Sequence, residues 1–218
     1  MYLLMDLETI PRQDIPAPEF DESTVKLGNI KDPAKRDEKI FSERLKFDIG
    51  LVKKMSVTPE LCQILSCDWT LYCPAEKKII EEGFRYDAAT DKYFIKDLVE
   101  EFTKHEYTLI TWNGKGFDVP VLWKRSIFNK CGMNFIDYQR LTKKYDTLAH
   151  LDLMHAWNNY EMGAMSKCAE FLGIPCKTDF DGSMVYEAWQ NGEHDKIKKY
   201  NEQDVDVMYQ ICKRIGIF

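Results

Sequence analysis

The sequence predicts an α/β domain with a mixed sheet, because strands and helices are interleaved early in the chain and helices follow. Residues 2–7 and 107–112 are short runs of apolar, β-branched and aromatic residues, as is typical of buried strands. The second half of the chain has mainly helical spacing. With 218 residues, of which 44% are hydrophobic, residues 1–218 are expected to form one domain with its own core.

The first half of the chain supplies the predicted strands. They are expected at residues 2–7, 61–72, 77–82, 85–93 and 107–112. Prolines at 11, 16 and 18 end the first strand, and a turn is expected near Asp87. Apolar residues recur at helical spacing over 95–105, which predicts a helix before the last of these strands.

An insertion between the first two strands is predicted at residues 14–57, with a helical arm at about 23–54. Between Lys31 and Lys54 there are eight basic and five acidic residues, a local excess of positive charge. A solvated helix face is the commoner explanation of such a mixture. The competing hypothesis is that the arm packs over a substrate cleft or docks a partner.

Helices dominate the prediction after the strand at 107–112. Two glycines near Asn113 predict a turn, and Asp118 is a natural N-cap for the helix that follows. Residues 148–153 are expected to be a short strand or the start of a helix. Further helices are expected at 163–172, 184–190 and 193–214.

The composition indicates a protein of the reducing cytoplasm. Seven cysteines without a C-x-x-C pair argue against a disulfide framework or a structural zinc site. The apolar N-terminal run is interrupted at Asp6, which argues against a signal peptide. The net charge of −6, from 30 basic and 36 acidic residues, is unlike that of a simple electrostatic nucleic-acid binder.

Five polar residues could carry chemistry. Asp6 and Glu8 alternate on the first strand, so their carboxylates share one face. Asp118 follows a core strand and a glycine turn, while Tyr200 and Asp204 lie one turn apart on the last helix. Each pattern alone has a structural explanation, namely an exposed strand end, a helix N-cap and a surface pair. Their order along one chain is the informative feature.

In this order the motifs D-x-E, N-G-x-x-F-D and Y-x-x-x-D resemble those of the DnaQ-like (DEDD) 3′–5′ exonuclease superfamily. The tyrosine marks the DEDDy branch, since Lys199 stands where the other branch has histidine. The sequence is most similar to the exonuclease domain of family B DNA polymerases and to stand-alone, phage-type relatives. The resemblance implies a ribonuclease H-like fold with a five-stranded mixed sheet flanked by helices. It also implies a cytoplasmic enzyme of a bacterium or a phage-infected host.

The resemblance also assigns roles to residues. Asp6, Glu8, Asp118 and Asp204 match the acids that hold two divalent cations, Mg²⁺ or Mn²⁺, and Asp6 would bridge them. Tyr200 matches the tyrosine that orients the attacking water. Thr9 and Asn113 match positions that contact the terminal nucleotide or support the site. Bound cations would offset four of the six excess negative charges, which removes the objection that the acidity raised.

The resemblance implies hydrolysis of single-stranded DNA from its 3′ end, releasing 5′-mononucleotides, in DNA replication or repair. An exoribonuclease is the alternative enzyme, because the same metal chemistry cleaves either sugar backbone. A non-catalytic nucleic-acid or protein interaction module is the alternative from another class. The 218 residues are expected to be filled by the exonuclease, so that proofreading would need a polymerase or other partner in trans.

Several further residues have both a structural and a functional explanation. His150, Asp152 and His155 resemble a ligand cluster, but a strand or core edge explains them better. Most aromatics beside core strands belong to the core, although stacking on bases is possible for one of Trp112, Phe117, Trp123 and Trp157. Lysines that could bind a substrate backbone, but that are more commonly solvated, are Lys115, Lys124, Lys143 and Lys144.

Overall fold

One five-stranded mixed sheet forms the centre of the molecule. The computed structural model describes residues 1–176 and 179–218. The strands are β1 (Tyr2–Pro11), β2 (Cys62–Cys73), β3 (Lys78–Tyr86), β4 (Thr108–Thr111) and β5 (His150–Asp152). Their order across the sheet is β3-β2-β1-β4-β5. Strands β1, β4 and β5 run parallel, whereas β2 is antiparallel to both β1 and β3.

Helices cover both faces of this sheet. The α-helices of the described residues are α1 (Pro33–Val57), α2 (Ile95–Phe102), α3 (Asp118–Phe128), α4 (Phe135–Thr142), α5 (Leu153–Trp157), α6 (Met165–Leu172), α7 (Val185–Gln190) and α8 (His194–Ile215). Helices α2, α3 and α4 pack on the face that carries Leu3, Met5 and Leu7. Helices α6 and α8 pack on the face that carries Leu4 and Ile110. The predicted α/β class with a mixed sheet is therefore confirmed.

A bulge interrupts the pairing of β1 with β2 next to Glu8. Glu8 pairs with Ser66 and Thr9 pairs with Ile64, so Leu65 has no partner in β1. Bulges bend a strand and re-aim its side chains. Leu65 is fully buried, together with Ile10 of β1, in a small core that also includes residues of α7 and α8.

The predicted arm contains the long helix α1. Asp32 caps its first turn by accepting a hydrogen bond from Ala34 N at 3.0 Å. Met55 is the one buried residue of this helix, and the C-terminal end of α1 packs against β1 and β2. Most of the helix is therefore exposed, and it is fixed to the sheet at one end.

The structure differs from the prediction at two elements. The predicted strand at 85–93 is wrong, because β3 ends at Tyr86 and the Asp87 carboxylate then accepts hydrogen bonds from Ala89 N and Thr90 N. Helix α4 was not predicted. Its neighbouring Phe135 and Ile136 are both exposed, so its apolar residues do not follow one helical face.

Other features agree with the prediction. Residues 148–153 contain both β5 and the start of α5, for which the Asp152 side chain is the N-cap. Cys62, Cys67, Cys168 and Cys212 are buried in the apolar cores. In residues 1–176 and 179–218, no helix combines the length and the apolar character that crossing a bilayer requires.

Candidate active site

Three predicted carboxylates meet where the sheet face carrying Leu4 is covered by α8. One carboxylate oxygen each from Asp6, Glu8 and Asp204 lies within 4.8 Å of the other two. Asp6 and Glu8 are adjacent on one face of β1 because strand side chains alternate. Asp204 comes from α8, whose residues Val205 and Met208 are buried against the same face. Residues almost two hundred positions apart thus form one acidic cluster.

Asp118 lies outside this group of three acids but close enough to raise the pKa values of Asp6 and Glu8. Its Oδ1 accepts a hydrogen bond from the backbone N of Leu7, between Asp6 and Glu8, at 3.2 Å. The pairing of β1 with β4 ends at Leu4 of β1. The backbone N of Leu7 therefore has no partner in β4, and the Asp118 carboxylate accepts its hydrogen bond instead. The predicted N-cap role is wrong, because Phe117 is the N-cap and Asp118 is the first helical residue.

A buried ion pair fixes the helix that carries Asp118. Arg125 of α3 donates two hydrogen bonds to Asp91, at 2.6 and 2.9 Å, and both side chains are almost fully buried. Asp91 also accepts from the backbone N of Ile64 in β2. A bidentate guanidinium–carboxylate pair has a defined orientation as well as a large interaction energy. The pair therefore holds α3 against the sheet.

Asn201 is a site residue that the sequence did not predict. It is fully buried on α8, and its Nδ2 donates to the carboxylate of Asp6 at 2.8 Å and to the Asp6 carbonyl at 3.2 Å. Ser66 Oγ donates to Asn201 Oδ1 at 2.9 Å. The signal for Asn201 was its place in the apolar stripe of α8, one turn before Val205, where a polar residue requires partners.

The electrostatics of the cluster favour protons or cations. Burial is the main cause that raises the pKa of each acid, and repulsion from neighbouring carboxylates adds to it for Asp6 and Glu8. The pKa of Asp118 rises to about 7 and that of Asp204 to about 6. Within the described part of the chain, no lysine or arginine offsets this negative charge. Among the residues that the structure describes, the acids therefore lack a positive partner.

Tyr200 lies one helical turn before Asp204, close enough for its phenol to lower the pKa of the Asp204 carboxyl. Burial raises the pKa of the Tyr200 phenol above its ordinary value, and repulsion from Glu8 and Asp204 acts in the same direction. The hydroxyl therefore stays protonated at neutral pH and serves as a donor. The Tyr200 ring packs against Phe180, with centroids 5.1 Å apart.

Thr9 and Asn113 have structural contacts of their own. The Thr9 hydroxyl donates to the carbonyl of Ser56, at the end of α1, at 2.6 Å. Asn113 has a left-handed backbone, with φ of 68°, and its side chain approaches Gly116 so closely that a Cβ there would lie 2.7 Å from Asn113 Oδ1. Their contact with substrate stays a prediction.

The cluster at 150–155 has the structural role that was favoured. His150 is fully buried between the hydroxyl of Thr111 and the carbonyl of Leu141. Asp152 accepts hydrogen bonds from the backbone N atoms of Asn113 and Lys115 in the loop after β4, both at 3.0 Å. These bonds fix the loop that leads from β4 to Asp118.

The four lysines that were considered for a substrate backbone have different environments. Lys115 is buried, and its Nζ donates to carbonyl oxygens of the loop at 143–146, so it is unavailable to a phosphate. Lys124 pairs with Glu60. Lys143 and Lys144 are exposed.

The aromatic residues are mostly part of the core. Trp112 and Phe117 are partly buried against it, and Trp123 stacks on Tyr138 with centroids 4.1 Å apart. Trp157 is 38% exposed and packs against Phe171. The core explanation is therefore correct for the first three.

The sequence matches a family model described as a predicted 3′–5′ exonuclease related to the exonuclease domain of PolB. The match spans residues 73–217, about two thirds of the chain. It includes Asp118, Tyr200 and Asp204 and begins after the strand that carries Asp6 and Glu8. No curated protein matches the sequence.

The fold is similar to that of the family B DNA polymerase from the hyperthermophilic archaeon Pyrobaculum calidifontis. The TM-score is 0.59 and the sequence identity is 15%. The likeness covers 98% of this chain and 24% of the polymerase chain. It therefore concerns the fold, and this chain spans about a quarter of the polymerase's length.

Proposed function

Because the chain belongs to the family of predicted 3′–5′ exonucleases related to the exonuclease domain of PolB, we propose a specific activity for it. The protein hydrolyses phosphodiester bonds from the 3′ end of single-stranded DNA and releases 5′-mononucleotides by a two-metal-ion mechanism. The observation that carries this proposal is the meeting of Asp6, Glu8 and Asp204 within 4.8 Å.

The donor set fits two divalent cations. All four acids offer oxygen ligands, which suit Mg²⁺ or Mn²⁺, whereas zinc prefers histidine and cysteine. The raised pKa values of Asp6, Glu8, Asp118 and Asp204 fit as well, because burying several carboxylates together is costly without a compensating charge. When bound, such ions polarise the scissile phosphate and lower the pKa of water.

Each residue has a distinct role in this proposal. Asp6 accepts a hydrogen bond from Asn201 and has an oxygen within 4.8 Å of Glu8 and Asp204, so it would help to hold the ions. Glu8, Asp118 and Asp204 would hold the ions together with Asp6, and the ions would supply the charge that activates the attacking water. The Tyr200 hydroxyl would orient the attacking water rather than remove its proton, because its pKa lies above the ordinary value for tyrosine.

The whole of residues 1–218 forms the proposed exonuclease domain, with residues 14–57 as an insertion. Thr9, which follows Glu8 on β1, and Asn113, in the loop before Asp118, would contact the terminal nucleotide or support the site. The chain spans only about a quarter of the polymerase to which its fold is similar. A role in replication or repair, with a polymerase or another partner in trans, belongs to the same proposal.

The test uses 5′-labelled single-stranded DNA and RNA of one sequence with Mg²⁺, Mn²⁺ or EDTA. We expect a ladder that shortens from the 3′ end of the DNA and is abolished by EDTA and by Asp118→Ala. A substrate with a blocked 3′ end should stay intact. Asp206→Asn, a change on α8 outside the acidic cluster, is the matched control and should keep wild-type activity.

The other outcomes separate the alternatives. Full activity in Asp6→Ala or Asp204→Ala would refute the two-metal site. Faster cleavage of the RNA would identify an exoribonuclease, which the ribose 2′-hydroxyl distinguishes. Binding of either strand without cleavage in any metal would indicate a non-catalytic module.

A further inference from the structure

An exposed group of two tyrosines and a lysine lies beside the loop that carries Asp118. The rings of Tyr145 and Tyr160 meet edge to face with centroids 5.0 Å apart. Lys144 Nζ lies 5.4 Å from the centroid of Tyr145 and 5.3 Å from that of Tyr160. Tyr145 is 71% exposed and Tyr160 is 37% exposed. We refer to Lys144, Tyr145 and Tyr160 as the aromatic platform.

The platform is attached to the Asp118 loop through two buried residues. Lys115, three residues before Asp118, donates to the carbonyls of Lys143 at 3.0 Å and Asp146 at 2.7 Å, on both sides of Tyr145. Asp152 accepts from Lys115 N and, more weakly, from His155 N at 3.4 Å. His155 in turn packs against the Tyr160 ring, with centroids 5.4 Å apart. Both tyrosines are therefore held in a fixed position relative to Asp118.

The backbone that presents Tyr160 is unusual. Asn159 and Tyr160 both have left-handed backbones, with φ of 52° and 68°. Asparagine tolerates this region, but a bulky residue such as tyrosine rarely adopts it. The surrounding contacts thus hold the ring outward at a conformational cost, and such strain is common where a protein binds ligands.

The platform lies at the same edge of the sheet as the acidic cluster. Asp118 follows β4, and Asp152 is the last residue of β5, at the carboxyl ends of strands that run parallel to β1. Adjacent strands are about 4.8 Å apart, so β5 lies roughly 10 Å from β1 across this edge. A single-stranded DNA whose 3′ end reaches Asp6 and Glu8 can therefore extend over Asp118 towards the platform.

From this placement we propose that the aromatic platform binds a nucleobase of the single-stranded substrate, a few nucleotides upstream of the one that is removed. The inference rests on the proposed function. The exposed Tyr145 ring offers a stacking face, which every base can use irrespective of sequence. Lys144 and the neighbouring exposed Lys143 offer positive charge to the phosphates on either side.

The test combines Tyr145→Leu with Tyr160→Asn, because asparagine accepts the left-handed backbone at 160. Steady-state cleavage in Mn²⁺ is measured on a 12-nucleotide DNA strand and on a dinucleotide too short to reach the platform. We expect the KM for the longer strand to rise roughly tenfold, as loss of one stacked base predicts. The decrease in kcat/KM on the 12-nucleotide DNA should exceed the decrease on the dinucleotide by a similar factor.

Tyr93→Leu is the matched control, because Tyr93 is 76% exposed and lies on a separate surface turn. It should cleave both substrates like the wild type. Thermal unfolding of each variant establishes that it is folded. Equal KM values for the double variant and the wild type on the longer strand, within twofold, would overturn the platform.

A binding measurement separates this inference from the proposed function. Fluorescence anisotropy of a 5′-labelled 12-nucleotide strand in EDTA needs no catalysis. If the wild type binds but never cleaves, the proposed function fails, while roughly tenfold weaker binding by the double variant still supports the platform. If the wild type cleaves and the double variant binds equally well, the platform fails alone.

Discussion

The side-chain amide of Asn201 donates a hydrogen bond to the carboxylate of Asp6 at 2.8 Å, joining the last helix to the first strand. The same amide also contacts the Asp6 carbonyl, so it fixes both the side chain and the backbone of that residue. Hydrogen bonding to a carboxylate stabilises its charged form, and here it lowers the pKa of Asp6 against the opposing effect of burial. Asn201 is thus a positioning residue for one of the acids proposed to hold the metals.

Replacing Asn201 by leucine keeps the volume and removes the amide. The pKa of Asp6 should rise, so the acidic limb of the pH–rate profile should shift to higher pH and Mn²⁺ should bind more weakly. The unpaired buried partners should lower the free energy of unfolding by about 1–3 kcal/mol. Ser66→Ala leaves the Asn201–Asp6 bond in place and is the control. An unshifted pH profile in Asn201→Leu would argue for a structural role only.

Asp204→Asn should separate activity from stability. Loss of one ligand should reduce the rate by about three orders of magnitude or more, since metal ions contribute several kcal/mol to transition-state stabilisation. Removing one charge from a repulsive cluster should instead raise the melting temperature of the metal-free protein. Rates are measured on single-stranded DNA and melting in EDTA, and Asp206→Asn should change neither. A lower melting temperature for Asp204→Asn in EDTA would contradict this account.

The stability of the metal-free protein should depend on pH. Because the folded-state pKa is about 7 for Asp118 and about 6 for Asp204, the native protein retains protons that the unfolded chain releases. The contribution of these acids to the free energy of unfolding therefore falls as pH rises from about 4 to about 7. Bound divalent cations should cancel this loss at the upper end of that range.

The measurement is urea unfolding in EDTA and in Mn²⁺ at pH 5 and pH 8. Burial lowers the pKa of His150 to about 4, which acts in the opposite direction but equally in both solutions. The difference between the two solutions is therefore informative and should increase with pH by a few kcal/mol, on the order of the pKa shifts. A difference that is independent of pH would show that the four acids do not hold the cations.

Tyr200→Phe should lower kcat on single-stranded DNA with little effect on metal affinity. The variant keeps the ring against Phe180 and removes only the hydroxyl that contacts Asp204. Loss of orientation at a reacting group can reduce the rate by up to about 100-fold. Single-turnover cleavage and Mn²⁺ titration provide the two readouts, and Tyr93→Phe is the control. Weaker Mn²⁺ binding with an unchanged rate at saturating metal would exclude the orienting role.

Deletion of residues 23–54 tests the hypothesis about the arm. The segment contains most of the local excess of basic residues. Met55, the one buried residue of α1, lies just after the segment and is kept. The domain should therefore still fold, while binding of single-stranded DNA becomes weaker and less dependent on salt, or a partner is lost. Anisotropy at two salt concentrations and light scattering measure these properties. Unchanged binding and an unchanged oligomeric state would refute the hypothesis.

Features that depend on neighbouring residues were predictable, whereas contacts between distant residues were not. The alternation that puts Asp6 and Glu8 on one face of β1, and the helical spacing of Tyr200 and Asp204, depend on a few neighbouring residues. The same is true of the buried strands, which is why the fold class was predictable. Helix α4 was not predicted because apolar residues at its start are exposed. The strand expected after β3 is absent because the Asp87 side chain accepts a hydrogen bond from the backbone there and forms a turn.

The sequence by itself determined the fold class, the candidate acids and the faces that they occupy. Only the tertiary structure decided that Asp118 bonds to Leu7 rather than capping its helix, that Lys115 is buried under the loop at 143–146, and that Asn201 reaches Asp6. The physical reason is that each of these polar groups is satisfied by a partner far away in the chain. Burial requires such partners, but the spacing of residues along one segment does not reveal which group will supply them.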